Sequence, residues 1–405
     1  MSERHALIIT LNAATDAPRV GRQAQALHEA DWRVTVAGLR GRGPAPEFWR
    51  HVEVAHLPNG LGLSDAIRSE LGKYLSRFSE GAAERAYWRA VGYEGIYRRL
   101  ASIEPPDYDL VLGHDWMAAP IAARLAAARG VPFSIDVHEY ARGQYVHTSR
   151  RLRWRELPWA NALQSRFLPR ADGLTTVSDG IADLLQRDYA LPERPTVVRG
   201  FAPWRELSPR PTGERITVLY HGALVPGRGL EEAIASTPRW RPELRLVIRG
   251  VGDPGYIATL RELVDRAGAS GRVTIEGPVP AAEMIERANA DADVGFFVQP
   301  DLSPQKRFTL PNKFFEYVTA GLALCVSDLP EMARFVREHE LGVLVRDATR
   351  EGIAEALGPV DRAAVDRFKG RSLEAARTLD WNREKRVMLG LYDRLVPART
   401  VQDHA

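Results

Sequence analysis

Residues 216–234 read ITVLYHGALVPGRGLEEAI, and this stretch indicates the fold of the chain. It opens with an apolar run rich in β-branched residues, which is typical of a strand. A turn containing Gly222, Gly227 and Gly229 follows, and the last residues begin a helical pattern. A strand that passes through a turn into a helix is the repeating unit of parallel sheets flanked by helices. This stretch therefore predicts an α/β protein.

Similar short apolar runs recur along the whole chain, with helical patterns between them. In the first half the predicted strands cover residues 6–10, 32–38, 51–57, 108–113, 131–137, 173–177 and 196–200. In the second half they cover residues 216–221, 244–250, 272–277, 293–298, 322–327 and 341–345. We expect two doubly wound, Rossmann-like domains facing across a cleft, because ligands of open α/β sheets bind at the carboxyl ends of the strands.

The length of 405 residues also favours two domains, since a single hydrophobic core rarely serves so long a chain. Residues 200–215 are rich in Pro, Gly and charged residues and are predicted to form the interdomain linker. We expect an N-terminal domain over residues 1–203 and a C-terminal domain over residues 204–379. A final helix, about residues 380–397, is expected to pack back on the N-terminal domain. Its apolar face comprises Val387, Met388, Leu391 and Leu395.

The composition is that of a globular protein, with 45% hydrophobic and 26% charged residues. A net charge of +3 is too small to indicate a nucleic-acid partner. The N-terminal apolar run is too short for a signal peptide, and no later run reaches the roughly 18 apolar residues of a membrane span. Cys325, the single cysteine, lies in an apolar run and is expected to be a buried hydrophobe. We expect a cytoplasmic protein.

The basic, aromatic segment 149–170 allows two interpretations. It could lie on a membrane surface, which would place the protein at the inner face of the membrane. Alternatively, it is an exposed arginine-rich helix that packs Leu152, Leu157 and Leu163 inward, and we favour this interpretation.

The C-terminal half carries several signs of an anion site. Gly222 and Gly227 lie in the turn quoted above with Arg228, and Gly250 and Gly252 follow the next strand. Such turns let backbone amides approach a phosphate closely, although glycine-rich turns also occur for structural reasons alone.

A helix starting near Pro311 carries Lys313 and Glu316 three positions apart. Lys313 near the positive end of this helix is unfavourable unless an anion binds there. Glu316 could accept two adjacent hydroxyl groups, as a carboxylate does on a ribose in dinucleotide folds. The alternative is a salt bridge between the two side chains, worth a few tenths of a kcal/mol.

These segments, in this order, resemble the retaining glycosyltransferases of family 4, which have the GT-B fold. The resemblance covers nearly the whole chain and is carried by residues 11–36, 197–203, 220–234 and 311–328. It implies a C-terminal donor-binding domain, in which Glu316 holds the ribose of a nucleotide sugar and Arg228 and Lys313 bind its diphosphate. It also implies an N-terminal acceptor-binding domain.

Two residues depart from the family pattern. The first glutamate of the E-x7-E motif, which contacts the donor sugar in the family, falls at Phe308, and an expected arginine falls at Ala223. We expect Asn312, Lys313 and the backbone amides near Leu310 to replace part of these contacts.

In the N-terminal half, polar residues follow two neighbouring predicted strands and so should lie together at one sheet edge. The first group is His114, Asp115 and Trp116, and the second is Asp136, His138 and Glu139. The resemblance implies that His138 touches the donor sugar near the reacting carbon. Isolated histidines more often have a structural role, which remains the alternative.

The predicted acceptor contacts come from two places in the N-terminal half. Asp115, Trp116 and His114 form one group, and Asn12, Asp16 and Arg19 follow the first strand. Arg19 could equally pair with a surface acid.

We expect no metal and no other cofactor. The D-x-D triplets at residues 107–109 and 291–293 precede predicted interior strands, and no zinc-type His/Cys cluster occurs. The expected reaction transfers a sugar from a nucleoside diphosphate sugar to a hydroxyl group of a glycan, a lipid-linked acceptor or a small molecule. The catalytic groups would be His138, Arg228 and Lys313. A nucleotide-sugar epimerase and a catalytically silent binding partner are the alternatives.

Overall fold

The computed structural model describes residues 3–41, 43–54, 74, 79–90, 93–103, 107–144 and 150–397. The chain divides into two compact units. Unit 1 comprises Met1–Arg199 and Lys385–Ala405, and unit 2 comprises Gly200–Glu384. Each unit contains one parallel sheet, so the predicted α/β fold is confirmed.

Every predicted strand has a counterpart in the structure, although the end of the run at 51–57 lies outside the described residues. Unit 1 contains β1 (Arg4–Ala13), β2 (Trp32–Leu39), β3 (Arg50–Glu53), β4 (Leu110–His114), β5 (Phe133–Val137), β6 (Gly173–Thr176) and β7 (Thr196–Val197). Unit 2 contains β8 (Ile216–Leu224), β9 (Leu244–Gly252), β10 (Val273–Glu276), β11 (Val294–Phe297), β12 (Ala323–Ser327) and β13 (Gly342–Val345). The strand orders are β3-β2-β1-β4-β5-β6-β7 and β10-β9-β8-β11-β12-β13.

Helices connect these strands, as a parallel sheet requires. In unit 1 they are α1 (Pro18–His28), α2 (Glu80–Ala90), α3 (Tyr93–Ala101), α4 (Asp115–Arg129), α5 (Ala141–Gln144), α6 (Arg150–Phe167) and α7 (Asp179–Asp188). In unit 2 they are α8 (Leu230–Ser236), α9 (Pro254–Arg266), α10 (Met284–Asp291), α11 (Pro304–Arg307), α12 (Asn312–Thr319), α13 (Pro330–His339), α14 (Arg350–Leu357) and α15 (Arg362–Ala376). The last helix is α16 (Trp381–Leu395).

Three strands run at least two residues further than the sequence predicted. β1 continues to Ala13, so Asn12 lies in a strand instead of a loop. β8 and β9 stay paired through Gly222↔Gly250 and Leu224↔Gly252. The reason is the close approach of the two backbones: a Cβ atom on Gly250 would lie 1.8 Å from the carbonyl oxygen of Gly222.

Helix α16 belongs to unit 1 from Lys385 onward. There the Gln23 amide donates to the Tyr392 hydroxyl at 2.5 Å, and Lys385 pairs with Glu29 at 2.7 Å. A Cβ atom on Gly173 would lie 2.9 Å from Leu395 Cδ1, so the C-terminal helix packs directly on β6.

The segment 200–215, predicted to be a linker, is held against unit 2 by ion pairs and hydrogen bonds. Arg210 and Lys369 both contact the buried carboxylate of Asp293, at 2.7 and 3.1 Å. The Thr212 hydroxyl donates to Asp366 at 2.6 Å.

The arginine-rich segment forms part of α6, where Leu163 is fully buried and Leu157 is partly buried. The side chain of Leu152 lies outside the described residues. Among the described helices, we find none that is both long enough and apolar enough to cross a membrane.

Helix α12 is seated on the unit 2 sheet by a row of aromatic side chains. Phe314, Phe315 and Tyr317 are fully buried. Tyr317 packs over Gly295 of β11, where an added Cβ atom would lie 2.3 Å from the Tyr317 ring. The helix begins at Asn312, with Pro311 as its N-cap residue, and Gly321 follows its end with a φ of 67°. Pro311 therefore lies just before the first residue of the helix.

Gly295→Ala should destabilise unit 2, because the new methyl group would have to displace the fixed Tyr317 ring. We expect a loss of about 1–3 kcal/mol, the usual cost of overpacking a core, measured by chemical denaturation. Gly271→Ala is the matched control, because nothing lies within 4 Å of its added Cβ atom. Equal stability of the two variants would show that the sheet and α12 are not packed as described.

Candidate functional site

In unit 2, two cationic side chains converge on one aromatic ring. Lys313 Nζ lies 4.0 Å from the centre of the Tyr220 ring and 5.0 Å from that of Phe297. Arg228 Cζ lies 5.9 Å from the centre of the Phe297 ring. The two side chains come from different segments, one from α12 and one from the turn after β8, and they meet over the ring of Phe297.

Lys306 is a third cation at this place, and it was not predicted from the sequence. Its Nζ donates to the carbonyl oxygen of Gly227 at 3.1 Å, directly next to Arg228. The short helix α11 that carries Lys306 is capped by Ser303, whose hydroxyl accepts from the Lys306 amide at 3.2 Å. The capping pattern is visible in the sequence, but it does not reveal that the side chain reaches the glycine turn.

The cations are held in an environment that disfavours their charge. Burial, and after it the nearby Arg228, lower the pKa of Lys313 to about 7, and Glu316 offsets only part of this effect. Burial and Arg228 also lower the pKa of Lys306. In the described part of the chain, no carboxylate forms a salt bridge with Arg228 or Lys313. A bound anion would therefore relieve unfavourable electrostatics among the three cations.

Glu316 pairs with a residue other than Lys313. Its Oε2 lies 3.0 Å from Nε2 of His221, the last polar residue of β8 before Gly222. The Glu316 side chain is 17% exposed, whereas that of His221 is 3% exposed. Lys313 and Glu316 therefore do not pair with each other, which was the alternative interpretation. Lys313 lies over the Tyr220 ring, and Glu316 binds His221. His221 was missed because its contact depends on how α12 packs against β8.

The four glycines predicted to bind the donor differ in backbone conformation and in location. Gly222 and Gly227 have positive φ angles of 121° and 78°, which favour glycine. A Cβ atom on Gly222 would lie 3.1 Å from Lys313 Nζ. Gly250 and Gly252 lie within β9 instead of a turn, and the tight pairing with β8 explains both glycines.

The structure also shows the surroundings of Leu310 and Asn312, which were predicted to bind the donor, and of the start of α8. Leu310 is buried, and the Asn312 side chain lies against Gly200, where an added Cβ atom would be 2.0 Å from Asn312 Oδ1. The start of α8, expected to bind phosphate, has Glu231 and Glu232 in its first turn. Because these acids already offset the helix dipole, we place the anion site at the three cations instead.

In unit 1, Asp136 is the centre of a buried charge network. Arg19 donates to both of its oxygens, at 2.5 and 2.7 Å, and to the carbonyl oxygen of Val198 at 2.7 Å. His138 Nε2 lies 2.8 Å from Asp136 Oδ2, and the Thr175 hydroxyl donates to Oδ1 at 2.7 Å. Arg19 thus pairs with a buried acid, and not with a surface acid.

Asp115 holds the backbone beside His138. Its Oδ1 accepts from the amides of His138 and Glu139, at 3.2 and 3.3 Å. Asp115 has a φ of 63°, an unusual backbone conformation for a residue other than glycine. Such conformations cost about 1–3 kcal/mol and are concentrated at functional sites.

The two histidines of this network have opposite electrostatic properties. Burial lowers the pKa of His114 to about 3, so this ring is neutral. Its Nε2 hydrogen-bonds to Gln23 Oε1 at 2.6 Å, which fixes the proton on that nitrogen. Burial also opposes charge on His138, but Asp136 and then Asp115 outweigh it and raise the pKa.

The pKa values of the two carboxylates in this network shift in opposite directions. Burial opposes the charge of Asp136, but Arg19 and His138 hold its pKa well below the ordinary value. For Asp115, burial dominates over the stabilising charge of His138 and raises the pKa. The network therefore places an imidazole with a raised pKa next to two carboxylates of different acidity.

Among the described residues, His114, Asp136 and His138 could together hold a metal ion. However, the guanidinium of Arg19 already occupies both oxygens of Asp136, and its positive charge opposes a cation at the same place. The geometry therefore favours the ion pair.

Both D-x-D triplets contain acids with structural partners. Asp109 accepts from the amide of His5 at 2.8 Å. Asp293 pairs with Arg210 and Lys369, and Asp291 pairs with Arg249 at 3.0 Å.

The predicted acceptor residues differ in exposure. Asn12 and Asp16 are exposed, whereas Trp116 is only 5% exposed and Asp115 only 8%. His114 is also buried, and it contacts His138 ring to ring at a centroid distance of 5.3 Å. These three residues are thus less accessible than His138, whose side chain is 29% exposed.

Two family models match the chain in succession. One, described as a glycosyl transferase 4-like domain, matches residues 17–200, and the other, described as glycosyl transferases group 1, matches residues 215–360. Together they account for most of the chain. The chain therefore belongs to the family 4 glycosyltransferases of the GT-B fold.

Solved structures share this fold. Sucrose-phosphate synthase from Thermosynechococcus elongatus matches with a TM-score of 0.71 at 18% identity, over 98% of this chain and 100% of that chain. HepE from Anabaena in complex with UDP-glucose matches with a TM-score of 0.67 at 14% identity, over 97% of this chain and 100% of that chain.

A curated relative is similar over a shorter region. Glycogen synthase from Mycobacterium tuberculosis is 29% identical over 151 residues, which are 36% of this chain and 36% of the relative. The match therefore spans about a third of the length of that relative.

His138 should titrate above its ordinary pKa of about 6.5, and His114 should stay neutral down to about pH 3. Charged His138 stabilises the fold below the ordinary pKa, and this contribution is lost as the pH rises through the folded-state pKa. NMR of protein labelled with 15N-histidine would measure both pKa values.

Asp115→Asn should lower the pKa of His138 by removing one of its two carboxylates. Asp183→Asn is the matched control, because Asp183 is an exposed acid paired with Arg194. Protonation of His114 near its ordinary pKa would contradict the described burial.

Proposed function

We propose that this protein is a retaining, metal-independent glycosyltransferase that transfers a sugar from a nucleoside diphosphate sugar to a hydroxyl acceptor. The observation that carries the proposal is the convergence of Arg228, Lys306 and Lys313 beside Phe297, with Glu316 on the same helix as Lys313. Three cations suit a diphosphate, and a carboxylate one helical turn away suits the adjoining ribose. HepE, which shares the fold, has been crystallised with UDP-glucose.

The leaving group explains why the cations matter. Acceptor attack breaks the bond between the anomeric carbon and the phosphate oxygen, and the electron pair of that bond stays on the diphosphate. Positive groups already in place stabilise this charge and so lower the barrier. Lys313 supplies one such group beside Gly222, where an added Cβ atom would lie 3.1 Å from its Nζ.

We propose retention because the chain belongs to a family that resembles the retaining enzymes, and the described carboxylates bear only on the route by which configuration is kept. A double displacement needs a carboxylate free to attack the sugar, about 5 Å from a second one. Glu316 is engaged by His221, Asp136 by Arg19, and Asp115 by two backbone amides. We therefore propose attack on the same face as departure, with the leaving phosphate oxygen accepting the proton of the acceptor hydroxyl.

His138 is proposed to contact the donor sugar, and its raised pKa favours the protonated form of the ring. In that form Nε2 donates to Asp136 at 2.8 Å, and Nδ1 lies 3.7 Å from Asp115 Oδ2. We place the reaction in the cytoplasm; the acceptor could be a glycan, a lipid-linked molecule or a small molecule.

A thermal-shift panel with UDP, GDP and TDP tests nucleotide binding and identifies the base. A ligand at about 100 times its dissociation constant should add roughly 2.7 kcal/mol to the stability. Transfer and hydrolysis assays with the matching nucleotide sugars would then separate an enzyme from a silent binding partner, which would bind without either reaction.

Glu316→Gln should weaken binding of the nucleotide sugar by about tenfold or more, because a charged acceptor for the ribose hydroxyls is lost. Isothermal titration calorimetry measures this effect. Glu338→Gln, which changes an exposed acid, is the control. Unchanged affinity in the first variant would refute the ribose role.

Arg228→Ala should mainly slow the chemical step, by about a hundredfold in kcat, because it removes charge that acts on the leaving diphosphate. Arg239→Ala, at an exposed surface arginine, is the comparison. A change confined to KM would show that Arg228 serves binding alone.

Affinity for the nucleotide sugar should fall as the pH rises from about 6 to about 8.5, by up to tenfold per pH unit, because binding requires Lys313 in its charged form. The diphosphate diester of the ligand does not titrate in this range. Lys313→Gln should bind more weakly and lose this pH dependence. A pH profile that persists in the variant would assign the titration to another group.

A further inference from the structure

We propose that His221 is a positioning residue for Glu316 and that it thereby sets the preference of the site for ribose over deoxyribose. This inference rests on the proposed nucleotide-sugar site. It concerns a residue that does not itself touch the ligand, because the His221 side chain is 3% exposed and lies behind Glu316.

The structure fixes His221 from several sides. Its backbone amide donates to the Tyr317 hydroxyl at 3.0 Å, and that hydroxyl donates to the carbonyl oxygen of Phe296 at 3.3 Å. Its ring lies 4.6 Å from the Tyr317 ring, centroid to centroid. His221 therefore joins β8 to α12 and cannot easily follow a movement of Glu316.

The hydrogen bond between the two side chains has a defined direction. An ionised carboxylate can only accept, so Nε2 of His221 must carry the proton that Glu316 Oε2 accepts at 3.0 Å. The other ring nitrogen, Nδ1, is buried and has no hydrogen-bond partner among the described residues. Among the described residues, the His221 ring thus forms a single hydrogen bond, and its partner is Glu316 Oε2.

Holding one oxygen leaves the other available to a ligand. Glu316 would otherwise lose rotamer freedom when it binds a diol, and this cost weakens binding. With Oε2 fixed by His221, Oε1 is already aimed and can accept from a ribose hydroxyl. Loss of the hydrogen bond should therefore reduce affinity for ribonucleotides, but leave deoxyribonucleotides almost unaffected.

Two amide substitutions form a matched pair for the test. The amide of Gln can reach the position of Nε2, whereas the shorter amide of Asn reaches only that of Nδ1. Both carry the same amide group, and the ratio of ribonucleotide to deoxyribonucleotide affinity reports the contact with Glu316 separately from general packing. His221→Gln should keep the Glu316 contact, and His221→Asn should lose it.

The measurement is the ratio of dissociation constants for 2′-deoxy-UDP and UDP by calorimetry, with 2′-deoxy-GDP and GDP tested in parallel. The wild-type protein and His221→Gln should prefer the ribonucleotide. In His221→Asn the ratio of the two dissociation constants should be about tenfold smaller. Thermal unfolding verifies that the variants are folded. His221→Met, which cannot donate, replaces the Asn variant if the latter does not fold.

An unchanged ratio in folded His221→Asn or His221→Met would overturn the inference. Equal losses in the Gln and Asn variants would do the same, because they would indicate a packing role. Failure of the wild-type protein to bind any of these nucleotides would instead refute the proposed function.

Discussion

The packing of α12 on the unit 2 sheet is the constraint on which the candidate site depends. Tyr317 sits over Gly295, and with Phe314 and Phe315 it leaves the helix no room to rotate or slide. This fixed orientation sends Lys313 to the rings of Tyr220 and Phe297 and sends Glu316 to His221. Two oppositely charged residues that could neutralise each other are thus held apart, and we propose that each contacts a different part of one ligand.

In unit 1, the candidate site depends instead on a buried ion pair between Arg19 and Asp136. Removing Arg19 and Asp136 from water is costly, and the bidentate geometry and additional hydrogen bonds compensate for part of that cost. The result is a fixed negative charge beside His138 that helps to raise the pKa of its imidazole against the effect of burial. Gln23 and Tyr392 extend the network to α16, so the C-terminal helix supports the same site from behind.

The strands were predictable because each is a compact apolar run, and such runs report burial in a parallel sheet directly. The strand ends were less so: β8 and β9 continue through glycines that a sequence pattern assigns to turns, because the pairing of Gly222 with Gly250 is a nonlocal contact. Lys313, Arg228 and Glu316 were identified from their positions in a helix and a turn. His221, Lys306 and the Arg19 to Asp136 pair required knowledge of which segments pack together, and the last pair spans 117 residues.

A crystal structure with the nucleoside diphosphate that stabilises the protein most would test the central claim directly. The account predicts diphosphate oxygens within hydrogen-bond distance of Lys313 Nζ and the Arg228 guanidinium, and ribose hydroxyls on Glu316. A nucleotide bound away from these three side chains, or bound with its phosphates on the start of α8 alone, would contradict it.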